Sequence, residues 1–151
     1  MTRSSACLLA STLALTACSS SSDVEIATTP LAGKIGGQAW SFQAGSTDAF
    51  LSEGEDDFFA AFYATAYTPC GFSDPSGPHV LVSVPKTPGD YDMDLFRNMT
   101  FVDTASNNLI ATDGRIVIDS VTATTVTGSL HGTYDGGNEI NGTFQLTVCA
   151  D

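Results

Sequence analysis

The chain of 151 residues carries seventeen acidic side chains against five basic ones, a formal net charge of −12. That balance repels nucleic-acid phosphates and anionic headgroups, so no nucleic-acid partner is expected. The length is that of one domain with a real hydrophobic core, and the acids read first as a solvated surface.

Arg3 opens a basic start, and Ala6 to Ala17 form an apolar run too short to cross a bilayer as a helix. Leu15-Thr16-Ala17-Cys18 ends that run. The four residues resemble, at every position, the lipobox of bacterial lipoproteins, Leu-(Ala/Ser/Thr)-(Gly/Ala)-Cys. The resemblance implies that residues 1–17 are a signal peptide cleaved before Cys18. It further implies acylation, palmitate included, of the Cys18 sulfur and its new amino group. More than one acyl chain gives stable anchoring where a single chain does not. Ser19 to Ser22 read as a polar tether, so residues 18–30 are assigned to anchor and spacer and 31–151 to the folded domain. Ser19, rather than Asp, after the cysteine implies the outer-membrane sorting of enteric lipoproteins. The expected location is therefore the cell envelope, lipid-anchored at the outer membrane.

From Leu31 onward, short runs of Val, Ile, Thr, Phe and Tyr alternate with turn residues. Lys34 to Phe42 predicts a hairpin turning at Gly36-Gly37, with Trp40 and Phe42 on one face. Asp57 to Tyr67 predicts the longest aromatic strand, apolar on both faces and so covered on each side. A Pro- and Gly-rich loop from Thr68 to Pro78 follows, then a strand from His79 to Val84 stopped by Pro85. Asp90 to Leu95 predicts a strand with Tyr91, Met93 and Leu95 on its packed face. Met99 to Asp103 and Leu109 to Ala111 are shorter, and Asp113-Gly114 signals a type I′ hairpin. Arg115 to Val121, Thr124 to Tyr134 and Glu139 to Val148 predict an antiparallel meander. In it Val126, Leu130 and Tyr134 face inward, while Thr127, Ser129, His131 and Thr133 lie on the polar side. The count is about ten strands and no helix, an all-β fold built as a single antiparallel β-sandwich or flattened barrel.

The segments Gly-Lys-Ile-Gly-Gly-Gln-Ala-Trp-Ser-Phe (33–42) and Val-Thr-Gly-Ser-Leu with Ile-Asn-Gly-Thr-Phe-Gln-Leu (126–130, 140–146) resemble small uncharacterised β-sandwich lipoproteins of Gram-negative bacteria. The resemblance implies the fold and carries no activity with it.

With Cys7 in the leader and Cys18 lipidated, Cys70 and Cys149 remain for the domain. Two cysteines without CxxC spacing in an exported protein predict one structural disulfide, closing a loop of about 80 residues. A zinc site would need two further ligands, and the only histidines are His79 and His131, so no cofactor is expected.

Asp90, Asp92 and Asp94 alternate along a predicted strand, which would set three carboxylates on one face about 7 Å apart and make them candidate calcium ligands. A charged, solvent-facing edge accounts for them better, since Leu95 and Phe101 stand where a calcium loop needs Gly and Glu. The acidic loops 53–57 and 135–139 read likewise as solvated turns. His79 and His131 read as surface histidines, and no Gly-x-Ser-x-Gly elbow or phosphate-cradling loop is present. The chain is thus expected to be a non-enzymatic binding or interaction module, tied to the membrane by its anchor and facing a protein or glycan of the envelope. The alternative is a lipocalin-like carrier of a small ligand, which would need a cavity lined by the aromatics of 57–67.

Overall fold

Gly36 and Gly37, at φ +59° and +75°, turn the chain between β1 (Ala32–Ile35) and β2 (Gln38–Ser41) in the computed structural model, which describes residues 24–71 and 73–150. The lipobox, Cys18 and the serine run lie outside the described residues. The chain continues through β3 (Ala44–Asp48), a one-turn helix α1 (Ala49–Ser52), β4 (Asp57–Tyr63), β5 (His79–Pro85), β6 (Gly89–Asp92), β7 (Met99–Val102), β8 (Asn108–Ile110), β9 (Asp113–Val121), β10 (Thr125–Asp135) and β11 (Asn138–Thr147). The fold is all-β, as the residue pattern predicts, and its eleven strands form one curled sheet.

The order across the sheet is β6-β9-β10-β11-β3-β4-β5-β7-β8, with β1 also on β11 and β2 on β1. Neighbours run antiparallel except β11 and β3, which meet in parallel at Thr147 and Ser46. The exception follows from strand length. Four-residue β1 covers only the first half of ten-residue β11, pairing Ala32 to Lys34 with Asn141 to Glu139. The edge beyond is left for β3, whose direction matches that of β2 and therefore of β11.

Three expectations are corrected here. The strand from Asp57 ends at Tyr63, not Tyr67, because its pairing with β3 and β5 ends at Ala44 and His79. Past that point the backbone has no neighbour strand, and Tyr67 folds back edge-on to Tyr63 with ring centroids 5.3 Å apart. Asp113-Gly114 is not a turn: it opens β9, where Gly114 pairs with Gly132. Both glycines supply room rather than positive φ. A Cβ on Gly114 would lie 2.7 Å from Met93 Sδ, and one on Gly132 would collide with Met99 Sδ. Finally, α1 departs from the expectation of strands without a helix. Asp48 caps it by accepting from Leu51 N at 2.8 Å, the local hydrogen bond that makes Asp a helix starter.

The curled sheet is filled. Phe62 packs against Phe42 and Phe144, with ring centroids 5.4 and 5.2 Å away. Around it lie Leu31, Trp40, Met99, Phe101, Ile116, Leu130 and Ile140 in one buried cluster. Trp40 donates its indole N–H to Pro78 O at 3.1 Å, which ties the loop before β5 to the first hairpin.

Candidate functional site

Cys70 and Cys149 are joined, with the two α-carbons 5.4 Å apart. Alternation along β11 explains the reach. Ile140, Phe144 and Leu146 face the core, so Cys149, of opposite parity, leaves the core side and meets the loop after β4. Cys149 N also donates to Thr47 Oγ1 at 3.0 Å, fastening the chain end to β3.

Beside the bridge, Ser46, Tyr63 and Asp74 line an open groove of about 370 Å³. Tyr67 and Ser46 share a hydrogen bond between their hydroxyls at 2.9 Å. Burial, followed by the Asp74 carboxylate, pushes the Tyr63 hydroxyl up to about 12. Burial likewise raises Tyr67. Both phenols are therefore neutral hydrogen-bonding groups rather than bases. His79 stacks on Tyr63 at 5.1 Å, and its Nδ1 is 2.9 Å from Gly77 O.

The alternating aspartates do not form a ligand set. β6 ends at Asp92, so the regular alternation stops before Asp94. Asp90 takes both ends of the Arg115 guanidinium, whose hydrogen bonds hold its carboxyl below the usual carboxylate range. Asp94 turns onto its own backbone, accepting from Phe96 N and Arg97 N at 2.7 and 2.8 Å. Those two bonds lower its pKa. Among the described residues no three His, Cys, Asp or Glu are grouped to hold a metal ion. In the other acidic loops the protein's own donors engage the Asp135 carboxylate and, in loop 53–57, backbone oxygens. Asp135 accepts from Gly137 N and Asn138 Nδ2, both at 2.9 Å, and Lys86 Nζ donates to Ser52 O and Glu55 O at 2.6 and 2.7 Å.

Three side chains depart from the alternation read in the sequence: His131, Leu95 and Tyr134, the last 40% exposed near the end of β10 where it is expected to face inward with Val126 and Leu130. His131 is buried, at 5% exposure, not on an open polar face. Its cross-strand neighbours are Arg115 and Asn141, and Asn141 grips the incoming chain through Ala27 N at 2.8 Å and Glu25 O at 3.2 Å. Leu95 is expected on the packed face of β6, yet it is 91% exposed, as is Phe96. The Asp94 turn is the cause, because it closes through Asp94 N to Arg97 O at 2.8 Å and throws residues 95 and 96 outward.

That turn sits where the two ends of the sheet order, β6 and β8, come near each other. Ala111 N donates to Met99 O and Thr112 N to Thr133 O, both at 2.8 Å, carrying the chain from β8 across to β9 and β10. Arg97 anchors the turn by a two-pronged bond to Asp57 at 3.0 and 3.2 Å, with its guanidinium carbon 4.7 Å from the Tyr91 ring centroid. Clefts open on both sides of it. One, of about 450 Å³, is lined by Leu51, Phe58, Phe59 and Phe96 with Glu55, Asp56, Asp57 and Asp94. The other, of about 400 Å³, has Met93, Leu95, Ile110 and Ala111 with Asp94 and Asp113. The sequence reading missed this seam. Its available signal was Asp94, a residue type that closes turns through its own side chain.

The chain matches no protein-family model, no curated protein and no solved structure.

Proposed function

We propose that this chain is a lipid-anchored protein of the bacterial envelope whose β domain works as a non-enzymatic binding module, presenting its outer surface to another envelope component. The anchor half of this reading rests on Leu15-Thr16-Ala17-Cys18, whose resemblance to a lipobox covers all four positions. The binding half rests on one observation. Of the aromatics of β4, Phe62 is packed in the core against Phe42 and Phe144 and Phe58 lies partly buried against the same core, while Phe59 and Tyr63 line open surface clefts rather than an enclosed cavity. A filled interior favours recognition at the surface over the lipocalin-like alternative. The two histidines support the non-enzymatic side of the proposal, His79 being stacked on Tyr63 and His131 buried between strands.

Two measurements test it. Cys18→Ser should move the protein from the membrane fraction to the soluble fraction, and the wild-type chain should carry acyl mass on residue 18. Native mass spectrometry of the chain purified from envelopes should show protein and anchor mass alone. An intact Met1 on the mature protein removes the anchor, and a stoichiometric small molecule retained by the domain restores the carrier.

A further inference from the structure

Among the described residues, Phe50, Leu51, Leu95, Phe96, Ile110 and Tyr134 are large apolar side chains left exposed; of these, Leu51 and Phe96 line the cleft on one side of the Asp94 turn, and Leu95 and Ile110 line the cleft on the other. Scattered exposed apolar residues are ordinary, but these four line two adjoining clefts on either side of one turn. The turn is built to hold them out. Asp94 accepts from the N–H groups of both Phe96 and Arg97, and Arg97 is in turn fixed by Asp57 and packed on Tyr91. Those four contacts fix the backbone that carries Leu95 and Phe96, so little backbone freedom is lost on binding, which favours a docking anchor.

The walls of the same clefts carry the second half of the pattern. Glu55, Asp56, Asp57, Asp94 and Asp113 line them, against Arg97 as the lining cation. Arg97 is paired with Asp57, and Lys86, held by Ser52 O and Glu55 O over the Phe58 ring, adds a second positive charge, so five carboxylates stand against two cations. The local field is therefore negative around an apolar centre.

We propose that this seam docks a basic segment of a partner protein, its apolar side chains seated on Leu51, Leu95, Phe96 and Ile110 and its lysines or arginines against Glu55, Asp56 and Asp94. The proposal rests on the reading of the domain as a binding module and names the partner's chemistry. Charge decides among the occupants an apolar tip could take. A second copy brings a net charge of −12 against −12, and an anionic bilayer meets the same repulsion. A basic segment instead gains attraction at long range and fills the apolar clefts at contact, the division of labour between rim and centre seen in protein interfaces.

The test uses the full chain carrying Cys18→Ser, so that no lipid contributes to any arm. A random peptide library is panned on it, with Leu95→Ser/Phe96→Ser and Glu55→Gln/Asp56→Asn as parallel targets. These side chains are exposed or rim the clefts, and unchanged Trp40 emission confirms that each variant is folded. The expected winners are basic peptides carrying aromatic or aliphatic anchors. They should lose about tenfold or more in affinity on the Leu95/Phe96 variant. On wild type their binding should fall as salt rises from about 0.05 to about 0.3 M, and this dependence should flatten on the Glu55/Asp56 variant. No enrichment over bare matrix, neutral or acidic winners, or winners blind to both variants overturns the proposal. Two further arms assign the seam elsewhere if positive, and so also overturn it: Phe96-dependent sedimentation with phosphatidylglycerol or phosphatidylcholine vesicles, and Phe96-dependent self-association. The binding-module reading fails separately, through the acyl-mass and native-mass measurements. Panning can therefore fail while that reading stands.

Discussion

Two arginine–aspartate pairs with the same two-pronged geometry differ in burial, and burial sets what each contributes. Asp57 and Arg97 are 18% and 24% exposed, whereas Asp90 and Arg115 are 51% and 38% exposed. Solvent screens the second pair and much less the first. Asp57→Asn should therefore cost about 1–2 kcal/mol in urea denaturation, and Asp90→Asn less than about 1 kcal/mol. Tyr63 gives a pH signature at the same scale. Burial and Asp74 raise its pKa from 10.0 to about 12, so folding favours the protonated phenol. The stability this contributes is complete below pH 10 and is lost as pH climbs from 10 toward 12. Absorbance titration should show a late-ionising tyrosine in the wild type, and Tyr63→Phe should remove that late phase.

At the scale of elements, β11 is the strand on which the fold depends most. It pairs with β10 along its length and takes β1 and β3 in turn on its other edge. Its C-terminal end is held by Thr147 on Ser46, by Cys149 N on Thr47 and by the disulfide. The bridge spans 79 residues, for which loop-closure entropy gives about 4–5 kcal/mol as an upper figure. Cys70→Ser/Cys149→Ser should lower the free energy of unfolding by several kcal/mol, read from denaturant midpoints. Amide exchange should rise first at residues 144–148. Unchanged exchange there would mean that β3 pairing alone suffices. The element boundaries follow partnership rather than propensity. Tyr67 has the residue type of a strand but no neighbour to pair with, and Gly114 has the residue type of a turn but a strand on its flank.

For the whole molecule, the ring cluster at Phe62 tests whether the sheet encloses a packed core. Phe62 is fully buried between Phe42 and Phe144. Phe62→Ala should cost about 3–5 kcal/mol, because the surrounding sheet cannot collapse fully onto the space left. Trp40, buried in the same cluster, should emit in the blue in both proteins and shift red on unfolding, earlier in denaturant for the variant. An interior hollow enough to hold a ligand would tolerate the change at little cost. Far-ultraviolet dichroism of the domain should be β-dominated, in line with eleven strands and a single helical turn among the described residues.

The sequence by itself determined the fold class, the Gly36-Gly37 hairpin, the C-terminal meander and the pairing of Cys70 with Cys149. The first three follow from period-two alternation and glycine's tolerance of positive φ, which are local; the pairing follows from counting, since Cys70 and Cys149 are the cysteines left once the lipobox resemblance sets Cys7 and Cys18 aside. Only the tertiary structure decided the parallel step between β11 and β3, the use of Gly114 and Gly132 as space for methionine sulfurs, the burial of His131 and the outward Leu95–Phe96 turn. Each of these depends on what lies across the sheet: a half-covered strand edge, a side chain from another strand, Asn141 gripping residues 25–27, or Asp57 waiting for Arg97. A contact between residues forty positions apart, as in that last pair, leaves no periodic trace in the chain that makes it.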